Sequence, residues 1–181
     1  MRVVAGQLRG RKIEGPLTEA TRPTTDKARE AIFNALTSLD VVDGARVVDV
    51  YAGSGALGIE ALSRGAKHCV FVENNKDALL VLRKNLQHLG LTDRAAVLET
   101  DAMGALASME EVDLVLADPP YGFTEWEKLL QHCSAEVVVL ESDRPIGDIP
   151  RFATIRERRY GRTFVAFLRH EALSEGTVEA T

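Results

Sequence analysis

Between residues 46 and 141, short apolar runs alternate with longer amphipathic stretches, and few folds accommodate that rhythm. Strands are expected at Arg46–Tyr51, His68–Glu73, Ala95–Glu99, Val112–Ala117 and Glu136–Glu141. Helices are expected between them, at Ala56–Arg64, Lys76–Leu89, Ala102–Met109 and Glu125–His132. Runs such as Val112-Asp-Leu-Val-Leu-Ala117 are nearly all apolar, as a strand covered on both faces must be. The pattern predicts an α/β fold built on a doubly wound, mostly parallel sheet. Phe152–Tyr160 and Thr163–Leu168, joined at Gly161, read instead as an antiparallel hairpin, which brings the sheet to seven strands. Ahead of it all, Val3-Val4 and Leu8–Ile13, punctuated by Gly6 and Gly10, predict a small β-hairpin. Thr24 or Thr25 can then cap a helix whose apolar positions Ala28, Ala31, Ile32, Ala35 and Leu36 keep the helical period.

The first strand runs into Asp49-Val-Tyr-Ala-Gly53-Ser-Gly55-Ala-Leu-Gly58. Glycines at this spacing, between a strand and a helix, let a ligand approach the backbone at a helix N-terminus. A Walker-type phosphate loop is excluded, because Ile59-Glu60 follow Gly58 where lysine and a hydroxyl residue would be needed. Glu73 ends the second strand, where a carboxylate can accept from a ribose diol, and this suits a nicotinamide dinucleotide as well as S-adenosylmethionine. Asp49 separates the two. Lying under the loop, it would repel a pyrophosphate, but it suits the ammonium group of a methionine moiety. Asp101, with Ala102 beside it, follows the third strand within reach of an adenine amino group. A helix N-cap is an equally good reading of Asp101.

The fourth strand leads straight into Asp118-Pro119-Pro120-Tyr121, at the edge of the sheet that faces the ligand crevice. Two prolines stiffen the loop and leave carbonyl oxygens without competing N–H groups. The Asp118 carboxylate and the Pro119 carbonyl form two acceptors aimed at one point, and an exocyclic amino group has two N–H bonds to give. Holding both draws the nitrogen lone pair away from the ring, toward an electrophilic methyl. Tyr121 offers a flat face for a base taken out of its helix. Adenine N6, in DNA or RNA, fits this tetrapeptide at least as well as guanine N2. An NAD-dependent oxidoreductase would leave both Asp49 and the tetrapeptide without a task.

Together these residues resemble the class I S-adenosylmethionine-dependent amino-methyltransferases. Taken with Arg22-Pro-Thr-Thr-Asp-Lys-Ala-Arg-Glu-Ala-Ile-Phe-Asn34, the run from Asp49 to Gly65 and Glu141-Ser142, the sequence is similar to the RsmD family over roughly residues 2–168. Members of that family are 16S rRNA guanine-N2 methyltransferases acting on the small ribosomal subunit. The resemblance implies a Rossmann-like methyltransferase fold, with Asp49, Gly53, Gly55, Glu73, Asp101 and Ala102 at the cofactor. It places Asp118 to Tyr121 on the guanine, and the Arg22–Asp26 segment, with Thr24, against the cofactor or substrate mouth. The domains implied are an RNA-contacting hairpin over residues 1–20, a methyltransferase domain over 21–170 and a disordered acidic tail over 171–181.

The net charge of −5 and pI near 5.4 argue, as bulk quantities, against a nucleic-acid binder. The layout of the charges argues the other way. Residues 1–34 carry a net +3 and residues 151–170 a net +5, around an acidic middle. Arg9, Arg11, Lys12, Arg22, Arg159 and Arg162 are therefore candidate phosphate contacts. Cys69 and Cys133 stand far apart with no CxxC, as expected of core thiols in a reducing cytosol, and no metal site is expected. The first fifteen residues carry four basic side chains and one acidic one, so no signal-peptide core is expected there, and no apolar run approaches the roughly 18 residues that span a membrane. A cytoplasmic, monomeric enzyme is the expectation.

Overall fold

The computed structural model describes residues 1–15 and 26–174; Arg22 and Thr24 lie outside the described residues. Helix α1 (Asp26–Ser38) precedes the alternating region, which runs β1 (Arg46–Val50), α2 (Ala56–Ser63), β2 (His68–Glu73), α3 (Lys76–Leu89), β3 (Ala95–Glu99), α4 (Ala102–Ala107), β4 (Leu114–Ala117), α5 (Trp126–Leu130) and β5 (Val137–Ser142). The chain then forms β6 (Phe152–Tyr160), β7 (Thr163–His170) and a short helical turn, α6 (Glu171–Ser174). These strands make one seven-stranded sheet in the order β3-β2-β1-β4-β5-β7-β6. All neighbours are parallel except β7, which runs antiparallel to both β5 and β6. The fold is the expected doubly wound α/β sheet with a closing hairpin.

Alternation along each strand divides the core in two. Val47, Leu114, Leu116, Val137 and Val139 face α1, α2 and α3 in one apolar cluster. Val48, Val50, Val115, Val138 and Leu140 face α4 and α5 in the other. From β1 the chain winds outward through β2 and β3, and it then returns to place β4 on the other side of β1. The strand order therefore reverses between β1 and β4. In open α/β sheets that reversal opens a crevice beyond the carboxyl ends of the two strands.

The expected small N-terminal hairpin is present, and much of what holds it lies outside it. A single antiparallel bridge, Arg2 to Lys12, joins its arms. Val3 N–H, Gly10 N–H and Ile13 N–H bond across the arms, and α2 serves other donors: the buried Glu60 carboxylate accepts from Val4 and Ala5 N–H at 2.8 and 3.0 Å, and Ser63 Oγ accepts from Leu8 N–H at 3.0 Å. Gly6 makes this contact possible. Its φ is +80°, and a β-carbon there would sit 1.9 Å from the Ser63 carbonyl oxygen. Val3 and Ile13 complete the docking by entering the α1–α2–α3 cluster.

Candidate active site

The turn after β1 is shaped by both backbone and carboxylates. Tyr51 is held at φ +61°, a conformation uncommon outside glycine that persists where the surroundings over-determine it. Gly55, at φ +84°, is the N-cap of α2, and a β-carbon on it would come within 2.5 Å of Leu82 Cδ1. Gly58 needs its missing side chain for another reason: a β-carbon there would lie 2.3 Å from the Phe71 ring. Around Gly53 there is space, since the nearest atom to a β-carbon would be 4.0 Å away. The loop is tight on its core side and open toward the crevice.

Asp49 is 1% exposed and accepts from Gly58 N–H at 2.8 Å, tying the start of α2 to β1. Burial pushes its carboxyl well above the ordinary carboxylate range; the Gly58 N–H opposes this, while Asp118 and Glu73 add to it. Glu73 accepts from Gly53 N–H at 2.8 Å through one oxygen and from Asn74 and Asn75 N–H at 2.9 and 2.8 Å through the other. Both carboxylates read from the sequence as ligand contacts thus also brace the glycine loop.

Asn85 was not anticipated. Buried on α3, it donates to the Ser54 and Glu14 carbonyls at 2.9 and 3.0 Å and accepts from Glu14 N–H at 2.9 Å. It clamps the loop to the N-terminal segment. Its place three residues after Leu82 and one before Leu86, on the apolar stripe of α3, was the available signal.

Two clefts open at the strand-order reversal. The first, of about 510 Å³, is bounded by Tyr51, Asn74, Asp101–Met103 and Pro120–Glu125. Asp101 caps α4 by accepting from Gly104 N–H at 2.9 Å, and it also stands on the cleft wall, so its two sequence readings coexist. Tyr51, Phe123 and Trp126 pack edge to face along one side, with ring centroids 5.6 and 4.7 Å apart.

The second cleft, of about 580 Å³, lies between α1 and the β6–β7 turn. Asp118, Pro119, Glu141 and Ser142 form its floor, and Lys27, Arg159 and Arg162 stand among its walls. Tyr121, 65% exposed, borders both clefts. The Asp118–Tyr121 segment is therefore a partition: Pro120 faces one cavity and Asp118 and Pro119 the other. Of the basic candidates, Arg159 and Arg162 reach this site. Arg9, Arg11 and Lys12 border neither cleft, and Arg11 donates to the His88 carbonyl at the end of α3.

Carboxylates at positions 49, 73, 101 and 118 gather at this edge of the sheet, with no lysine or arginine in the glycine loop. Such a field attracts a cationic ligand and repels a pyrophosphate. Among the described residues, no group of histidine, cysteine, aspartate or glutamate has an arrangement able to hold a metal ion, and no helix is long and apolar enough to cross a membrane.

Known proteins are similar to this chain in sequence and fold. The family model described as Conserved hypothetical protein 95 matches residues 1–169. A Bacillus subtilis (strain 168) protein named as an rRNA methyltransferase, YlbH, is 39% identical, over 92% of this chain and 97% of its own. The ribosomal RNA small subunit methyltransferase D of Haemophilus influenzae is 32% identical over 89% of each chain. Among solved structures, an Escherichia coli protein described as a methyltransferase, yhhF, superposes with a TM-score of 0.82 at 34% identity, covering 95% of this chain and 98% of the other. Sequence and fold agree, and the chain belongs to the RsmD family of methyltransferases.

Proposed function

We propose that this protein transfers a methyl group from S-adenosylmethionine to the exocyclic N2 amine of a guanine in 16S rRNA, acting on the small ribosomal subunit or an assembly intermediate of it. The observation that carries this reading is the Asp118–Tyr121 partition between two clefts at the strand-order reversal. One side can hold a cofactor and the other an extruded base, with the acceptors for an amine between them.

The chain fits the cofactor at three points. The open space at Gly53 leaves room for a methionine tail, Glu73 supplies negative charge and Asp49 a carboxyl group beside it, and the first cleft can take a flat base among Tyr51, Asp101, Ala102 and Met103. When bound, S-adenosylmethionine would supply a methyl already activated by the sulfonium charge. The protein's own work is then to position and to polarise. Tyr121 stacks on the flipped base. Asp118 and the Pro119 carbonyl accept the two N–H bonds of the amine, turning its lone pair toward the methyl. As the new N–C bond forms and the S–C bond breaks, the amine gives up one proton, which Asp118 is placed to take and pass to water. Arg159 and Arg162, with Lys27, would hold the phosphates flanking the flipped nucleotide; Arg9, Arg11 and Lys12 would meet the backbone farther along.

The test is methylation of small subunits from cells lacking this protein, read by nucleoside mass spectrometry. N2-methylguanosine is the expected product, and N6-methyladenosine in its place overturns the reading. Asp118→Ala is expected to lower turnover by about 10²- to 10⁴-fold while S-adenosylmethionine still binds. Turnover like that of the wild type would remove Asp118 from the chemistry.

A further inference from the structure

The register of the sheet places a second carboxylate beside the first. In the parallel β4–β5 pair, Leu114, Val115, Leu116 and Ala117 stand opposite Val137, Val138, Val139 and Leu140. One residue further along, Asp118 comes opposite Glu141. Leu114, Leu116 and Asp118 alternate onto the α1-facing side of the sheet, as do Val137, Val139 and Glu141. Both carboxylates border the second cleft, and Glu141 is buried at 2% exposure. The mechanism above assigns Asp118 and leaves Glu141 without a task.

The bases differ where this pair would meet them. Guanine presents two neighbouring donors, the N2 amine and N1–H. Adenine presents its N6 amine next to N1, which is an acceptor. Two acceptors side by side match the first pattern and clash with the second. We propose that Glu141 is the residue that selects guanine, accepting N1–H while Asp118 and Pro119 hold the amine. This rests on the amine-methyltransferase reading of the site and sharpens it. The aspartate-proline-proline-tyrosine segment reads any exocyclic amine, and Glu141 reads the ring atom beside it. Adenine in the same pose would set its N1 lone pair against a carboxylate, and a site built around a donor rejects a base that lacks it.

The experiment compares wild type, Glu141→Gln and Glu141→Asp on small subunits that lack the modification, and on subunits carrying adenine at the mapped position. Products are read as N2-methylguanosine and N6-methyladenosine, and S-adenosylmethionine binding and circular dichroism are followed alongside. Glutamine keeps the shape and can turn an N–H toward the ring. It is expected to lower kcat/KM on guanine by about 10- to 100-fold, to raise methylation of adenine above the wild-type level, and to leave cofactor affinity unchanged. Aspartate, which keeps the charge, is expected to retain the preference for guanine. A glutamine variant with wild-type activity on guanine overturns the inference, as does one that loses activity with no gain on adenine. Absence of N2-methylguanosine from the wild-type reaction overturns the proposed function instead. Should the glutamine variant fail to fold, inhibition of the wild type by free nucleosides decides. Guanosine, which carries N1–H, is expected to inhibit at least about tenfold more strongly than 2-aminopurine riboside, which keeps the amine but lacks N1–H. Equal inhibition by the two overturns it.

Discussion

A β-carbon on Gly58 would come within 2.7 Å of Cys69 Sγ as well as 2.3 Å of the Phe71 ring, both on the neighbouring strand β2. Neither group can retreat, because both are fully buried. Gly58→Ala is therefore expected to destabilise the fold by about 1–3 kcal/mol, measured as a lowered urea midpoint at an unchanged m-value. It should also weaken cofactor binding, since the Gly58 N–H held by Asp49 must move with the helix. The spacing of the three glycines was legible in the sequence, but their separate reasons were not. Gly53 and Gly55 answer to a backbone conformation, at φ +55° and +84°, and Gly58 to the thickness of a helix against a strand. Asp49 and Glu73 were legible as carboxylates at strand ends. Their bonds to Gly58 and Gly53 were not, because spacing along the chain does not show which lone pairs the backbone already occupies. Asn85 was hidden by its type: its place on the apolar stripe of α3 hinted at burial, but a polar residue on an amphipathic helix reads as solvent-facing, and its partners at Ser54 and Glu14 show why it lies inside.

Elements dock through one buried ionic knot. Glu60, fully buried in α2, accepts from Val4, Ala5 and Arg64 and faces Arg29 Nε at 3.6 Å. Arg29, also fully buried, bonds to Asp26 at 2.8 Å and to the Arg2 carbonyl. One carboxylate thus joins α1, α2 and the N-terminal segment. Removing one partner of such a network strands the other charges in the core, so Glu60→Gln is expected to cost about 3–5 kcal/mol. Chemical denaturation measures the loss, and hydrogen exchange should show the Val4 and Ala5 amides losing protection with it. Strand and helix positions in the alternating region followed from local pattern, and α3, β2 and β3 lie where the periodicity puts them. The small N-terminal hairpin was legible, but its docking was not, because some of its backbone donors pair with side chains some 55 residues away, a contact no local window contains.

For the whole molecule, the sum of the charges was the misleading quantity and their placement the informative one. Acidic side chains collect at the carboxyl edge of the sheet, while Lys27, Arg159 and Arg162 surround the second cleft. Exchanging Arg159 and Arg162 for glutamine is expected to lower RNA affinity and to flatten the plot of log affinity against log salt by roughly 1–2 units, with cofactor affinity unchanged. Titration at several salt concentrations measures both. Exchange of Arg9, Arg11 and Lys12 is expected to flatten it less, because those residues stand away from the cleft.

The strand that carries Arg159 has a further property. Among the described residues, β6 is the last strand of the sheet and has no partner on its outer side. An unpaired edge is a template on which another strand can add. Here that edge is interrupted by a register shift between Thr154 and Arg156, and it bears Arg156, Arg158 and Arg159 within four residues. Two copies approaching edge to edge would bring like charges together at every turn of the pleat. Neutral replacements in this strand lower that barrier, so a variant could lose activity by self-association while its contact with RNA was intact. Replacement by glutamate keeps the mutual repulsion and removes the attraction to phosphate, and comparing the two exchanges by light scattering separates the causes. A row of arginines suited to guiding a polyanion would thus also set like charges against the pairing of two such edges.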